Sequence, residues 1–159
     1  MMMWERLDAM LCSVRWLVVV GLLLLPSIGQ AQDSVEPIGY IMTVQGEATV
    51  TSRGQTIEAA VGQAVVQGAV LRTGAGGSLG VTLSDSTVMS FGPNSEFTID
   101  EYAFEPAHEA LRLSARISRG TLNFISGVIA KLKPEAVELK TPSGTIGVRG
   151  THFLVKVGP

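Results

Sequence analysis

Leu111-Arg112-Leu113-Ser114-Ala115-Arg116-Ile117-Ser118 places an apolar side chain at every second position and Arg or Ser at the others. A period of two belongs to a β-strand, whose successive side chains point to opposite faces; a helix would scatter these residues around its axis. The stretch therefore predicts a strand that buries Leu111, Leu113, Ala115 and Ile117 and turns Arg112 and Arg116 to water. The alternation recurs at 81–83 (VTL), 97–100 (FTID), 137–140 (VELK) and 153–157 (FLVKV), each bounded by Gly, Pro or an Asn/Asp/Ser turn.

Between these runs, glycines such as Gly46, Gly54, Gly62, Gly68, Gly74 and Gly92 recur every few residues. Glycine takes positive φ at no steric cost, so the spacing suits many tight reversals. At about five residues per strand and per loop, the length accommodates about eight to twelve strands. Residues 124–134 (FISGVIAKLKP) do not alternate, and are expected to form a loop or a short helix. The fold class is all-β; patterning alone leaves sandwich, barrel and solenoid open.

The first 31 residues read differently. Arg6 and Arg15 precede an unbroken apolar run at 16–25 (WLVVVGLLLL), which Pro26 closes ahead of a small-x-small site ending at Ala31. This is the pattern of a signal peptide cleaved after Ala31. A membrane span needs roughly 20 apolar residues, and a run of about ten is too short. Cys12, the one cysteine, would leave with the peptide, so the mature chain is expected to carry no disulfide. Residues 32–37 (QDSVEP) read as a disordered lead-in, and 38–157 as one β domain. The expected location is periplasmic or secreted, with no membrane span after cleavage.

The formal charge of −2 is the same with or without residues 1–31, because Glu5 and Asp8 offset Arg6 and Arg15. Nucleic-acid binding would call for clustered Lys and Arg on a basic domain, so no nucleic-acid partner is expected. Hydrolytic chemistry needs a nucleophile, a base and an orienting acid. The candidate bases are His108, in a polar Pro-Ala-His-Glu loop, and His152, at the start of the last strand. Neither has the partner spacing of a catalytic signature.

Two separated histidines cannot close a zinc site, and Asp100, Glu101 and Glu105 lack the dense oxygen spacing of a calcium loop. Gly74-Ala75-Gly76-Gly77 lacks the Lys-Ser/Thr ending of a phosphate loop and reads as a tight hairpin. The expectation is a non-enzyme with no catalytic, cofactor-binding or metal residues and no cofactor.

One ordered series carries more. Gly46-Glu47-Ala48-Thr49-Val50 leads through Val61-Gly62-Gln63-Ala64-Val65, Leu71-Arg72-Thr73-Gly74, Ser84-Asp85-Ser86-Thr87-Val88 and Phe91-Gly92-Pro93-Asn94-Ser95-Glu96-Phe97 to Thr141-Pro142-Ser143-Gly144-Thr145-Ile146-Gly147-Val148-Arg149-Gly150-Thr151-His152-Phe153. Glycines before β-branched residues are common in β proteins, whereas the last block and the Gly-Pro-Asn-Ser turn are specific. The series resembles the FecR domain, over nearly all of the chain beyond the signal peptide.

Two departures stand out. The family often places an aspartate where this chain has Ala69 and a glycine in the turn here written Asp85-Ser86-Thr87. Family members also commonly continue past the last strand, which leaves a short domain or a fragment as alternatives at Gly158-Pro159. In the strongest block, Pro142 should end one strand, Ser143-Gly144 make the reversal, and Ile146 and Val148 point inward. Arg149 is expected to reach backbone carbonyls or a carboxylate such as Asp100 or Glu101.

By this resemblance the fold would be an elongated sandwich or solenoid-like domain of many short, mostly antiparallel strands. Family members sense an outer-membrane transporter and relay the signal through a membrane helix to a cytoplasmic sigma factor. This sequence has no second apolar stretch for such a helix. What the resemblance implies is an exported interaction or regulatory module with a protein partner in the envelope. The alternative is a structural or carbohydrate-binding envelope protein on the same β fold.

Overall fold

The computed structural model describes residues 35–148 and 152–158. The apolar run, Cys12, the cleavage site, Gln32–Ser34 of the lead-in and the Arg149-Gly150-Thr151 turn lie outside them. The described residues form twelve strands: β1 (Gly39–Gln45), β2 (Ala48–Ser52), β3 (Gln55–Glu58), β4 (Ala64–Val65), β5 (Val70–Thr73), β6 (Ser78–Leu83), β7 (Val88–Phe91), β8 (Glu96–Glu105), β9 (Ala110–Ile125), β10 (Val137–Thr141), β11 (Gly144–Gly147) and β12 (His152–Val157). The all-β expectation holds, and every strand pairing is antiparallel except β9 with β10.

The alternating stretch that predicts a strand lies in β9. Leu113, Ala115 and Ile117 are buried, Leu111 is half-buried against the core, and Arg116 is exposed. Burying each large aliphatic side chain here contributes roughly 1.5–3 kcal/mol. β8 and β9, of 10 and 16 residues, are not the short strands expected. β9 is long because it serves two sets of neighbours. Its first part pairs with β8 and β10, and its last part with β7 and β12.

The sheet therefore has two arms: β3-β2-β5-β8 with β10-β11 on one side of this division, and β4-β1-β6-β7 with β12 on the other. Buried residues from both arms form one apolar cluster, which includes Ile41, Val81 and Met89 from one and Leu71, Phe97 and Leu139 from the other. Phe91 of β7 and Phe97 of β8 meet with ring centroids 4.7 Å apart.

The chain passes between arms at a glycine-rich corner. Gly46-Glu47 links β1 to β2, Gly74–Gly77 links β5 to β6, Gly92–Ser95 links β7 to β8, and Gly120 marks the change within β9. Gly74-Ala75-Gly76-Gly77 is therefore a crossing turn and not the hairpin expected, since β5 and β6 do not pair. Neighbouring passes are tied by backbone bonds: Gly74 N–H donates to the Glu47 carbonyl at 2.8 Å, Asn94 N–H to the Gly74 carbonyl at 3.0 Å, and Gly92 N–H to the Thr121 carbonyl at 3.1 Å.

At Gly120, φ is +93° and a Cβ would overlap Ser95 Oγ, so only glycine fits. Ser95 completes the corner: its hydroxyl donates to the Gly92 carbonyl at 2.8 Å and accepts the Thr121 N–H at 3.0 Å, while its own N–H donates to Thr73 Oγ1 at 2.8 Å.

The non-alternating stretch at 124–134 divides. Its first residues complete β9, and Val128–Leu132 form a short helix, α1. Pro142 does end β10, and Pro142-Ser143 make the reversal into β11. Val148 is buried as expected, but Ile146 is 38% exposed. Among the described residues β11 pairs only with β10, and all four of its residues are exposed.

Candidate functional site: a charged sheet face with a notch at its edge

Three regions concentrate polar chemistry. The first is buried. Asp85 has no solvent exposure, and its carboxylate accepts four hydrogen bonds. They come from Thr87 Oγ1 at 2.7 Å, Thr87 N–H at 3.2 Å, the Tyr102 hydroxyl at 3.3 Å and Ile129 N–H at 3.3 Å. The Asp85 carbonyl accepts Val128 N–H at 2.8 Å, and Thr87 Oγ1 accepts Gly127 N–H at 3.1 Å.

A turn between β6 and β7 thus holds the start of α1, and Gly127 fits there because a Cβ would overlap the Asp85 carbonyl and the Thr87 nitrogen. Ser86 has φ +67°, which accounts for the family's glycine at this turn. Burial, followed by the Asp85 charge, raises the Tyr102 phenol well above its ordinary pKa. Every acceptor on Asp85 is occupied by the chain itself, which makes this a structural knot.

The second region is the outer face of β5-β8-β9-β10. Arg72 and Arg119 meet Glu96 at 3.0 and 3.4 Å; Arg116 and Lys140 meet Asp100 at 3.1 and 3.7 Å; Arg112 meets Glu101 and Glu138, each at 3.0 Å. The hydrogen bond to Glu101 leads in raising the Arg112 pKa further. Two bulges in the β8–β9 register set this pattern, leaving Asp100 and Ser118 as the extra residues. Asp100 and Glu101, the carboxylates suggested for Arg149, are held by these other cations, and Arg149 lies outside the described residues.

The other arm contrasts with this. Among the described residues, the outward positions of β1, β6, β7 and β12 carry no carboxylate and one ammonium, Lys156. Tyr40, Met42 and Leu154 are exposed there.

The third region is at the sheet edge. Parallel pairing of β10 with β9 stops at Lys140↔Arg116, and antiparallel pairing of β12 with β9 begins at Val157↔Gly120. Among the described residues, no strand pairs with Ile117, Ser118 or Arg119 on that edge. A groove of about 500 Å3 opens there under the β10–β11 turn, lined by Arg116, Ser118, Lys140, Thr141, Ser143 and Thr145 among others.

The histidines are held apart from all this. His108 Nδ1 lies 3.1 Å from Glu105 in an exposed 3-10 turn, and His152 Nε2 lies 2.6 Å from Asn123 Oδ1 on β12. Among the described residues no three His, Cys, Asp or Glu gather as a metal site. No helix among them is long and apolar enough to cross a membrane.

A family model described as FecR protein matches residues 69–159, from the start of β5 through β12. The chain belongs to the FecR family. The matched stretch contains the Asp85 knot, the ion-paired face and the notch, while the Gly46 and Val61 blocks precede it. Neither the curated proteins nor the solved structures yield a match. FecR membership points to an envelope-associated regulatory or signalling module.

Sequence reasoning placed Arg116 in solvent correctly, left Arg112 more exposed than it is, and found neither the notch nor the Asp85 knot. Both depend on which strands become neighbours, and the family's glycine at the Asp85 turn was the only pointer to its unusual backbone.

Proposed function

We propose that this chain is an exported, non-catalytic FecR-family module that regulates by docking a protein partner in the bacterial envelope through an open strand edge. The observation that carries this reading is β11. Among the described residues it pairs only with β10, all four of its residues are exposed, and Ile146 on it is partly open to solvent. An edge strand offers a row of unpaired N–H and C=O groups, and adding a strand from a partner is a recurrent way to use it. Regulation follows from the family, and export from the charged start, apolar run and small-residue site at 1–31.

Two measurements test the proposal. N-terminal sequencing of the protein recovered from the envelope or medium should begin at Gln32; an intact Met1 there overturns export by cleavage. Cross-linking in an envelope fraction should give a stoichiometric protein partner that is lost with Ile146→Lys. Retention on peptidoglycan or polysaccharide with no protein partner would overturn protein docking in favour of a carbohydrate-binding role.

A further inference from the structure

We infer that β3 is a second docking edge, separate from β11, and that it takes an extended protein segment in which apolar residues alternate with basic ones. The nine-strand path of the sheet ends in β3 and β4. β4 is two residues long, which blunts that end, whereas β3 has four residues in unbroken register with β2. Among the described residues the far side of β3 pairs with no strand, and all four of its residues are exposed. Gln55-Thr56-Ile57-Glu58 contains none of the lysines, prolines or bulges that usually guard an edge. The strand also precedes residues 69–159, so it is a feature of this chain outside the stretch that the family model matches.

The two faces of β3 set the chemistry of its partner. Ile57 lies opposite Val50, which is buried in the core, so Ile57 points to the core side as well, yet it is 55% exposed. It borders a groove of about 320 Å3 whose other apolar walls are Val50, Ala64, Val66 and Ala69. Val50 and Ala69 belong to the core cluster and Val66 packs against it, so an apolar side chain placed beside Ile57 extends the core. On the other face Glu58 lies opposite Thr49, and Thr49 is paired in turn with Arg72, which Glu96 holds. Among the described residues no ion pair reaches Glu58. A strand added to this edge is therefore complementary when it sets an apolar residue opposite Ile57 and a cation opposite Glu58, adjacent positions that face opposite ways. A second copy of β3 brings no cation and leaves both carboxylates unpaired.

The test uses the purified protein and two labelled, end-blocked hexapeptides, one alternating Lys and Val and the other Glu and Val, followed by fluorescence anisotropy. The basic peptide should bind and the acidic one should not, with affinity falling as salt rises. Amide NMR shifts on titration should centre on Gln55–Glu58 and on 64–66. Glu58→Gln should weaken binding about threefold and Ile57→Ala about tenfold. Both variants should fold as before by circular dichroism, since both side chains are exposed. Ile146→Lys, at the β11 edge, should leave the affinity unchanged.

Equal binding of both peptides, binding of neither, an unchanged affinity in Glu58→Gln or in Ile57→Ala, or shifts centred on another strand each overturn the inference. So does a dimer in sedimentation that Ile57→Ala dissociates, because a second copy then occupies the edge. Loss of peptide binding in Ile146→Lys overturns it too, by moving the contact to β11, and leaves the docking reading of that strand standing.

Discussion

Asp85 and Asp100 are both aspartates beside a sheet, yet they hold the molecule in different ways. Asp85 is fully buried and, among the described residues, pairs with no cation; backbone N–H groups and two hydroxyls surround it. Asp100 lies at a bulge on the outer face and meets Arg116 and Lys140 partly in water. A buried acceptor cannot lose its partners without leaving them unsatisfied, whereas solvent replaces the partners of an exposed pair at little cost. Stability should therefore follow burial and not the count of ion pairs.

The largest expected effect is Asp85→Ala, which strands the donors of Thr87, Tyr102 and Ile129 and should cost about 3 kcal/mol or more in urea unfolding. A loss no larger than that of an exposed ion pair would erase the contrast. Tyr102→Phe should cost about 1–2 kcal/mol, since it removes a hydroxyl that donates to Asp85 and accepts its N–H.

Tyr102 also sharpens the pH dependence. Its folded pKa is raised, so the folded state holds this proton more tightly than the unfolded one. The contribution is whole below about pH 10, the ordinary tyrosine value, and declines as the pH rises beyond it. Alkaline unfolding should begin later, relative to its own neutral stability, in Tyr102→Phe than in the unsubstituted protein.

A smaller effect of opposite sign is expected at Ser114, whose hydroxyl is buried beneath the ion pairs with no partner among the described residues. Ser114→Ala should leave stability unchanged or raise it by up to about 1 kcal/mol in the same assay. The smallest effect belongs to Arg112→Gln: although Arg112 contacts two carboxylates, its loss should cost under about 1 kcal/mol and less still at high salt. A thermal melt series in rising salt checks this.

The strands were legible where one face is buried and the other wet, as at Leu113 to Ile117, because that condition imposes the period of two. The full length of β9 was not. Gly120 interrupts the alternation just where the strand passes from one arm to the other. Glycines were read as reversals, yet those at 46, 74, 92 and 120 share one corner, a relation that exists only after residues up to 74 positions apart come together. Ile146 read as buried because its neighbours alternate, but patterning cannot say that β11 comes to lie beside β10 alone among the described strands. Asp85-Ser86-Thr87 read only as a turn; its burial comes with Tyr102 and the start of α1, which bond to it. The notch is an absence of pairing, set by where two registers stop, and no local pattern encodes it.

The shared strand also orders events in time. β5, β6, β7 and β8 are all synthesised before β9, and each can find its earlier partner: β7 pairs with β6, and β8 with β5. No strand pairing joins β7 to β8 until residues 110–125 are available, so their facing edges stay open meanwhile. Long-range pairings of this kind close slowly, and open edges invite association with other chains. The interval before β9 arrives is thus when a newly made chain is most exposed to aggregation and has most to gain from a chaperone.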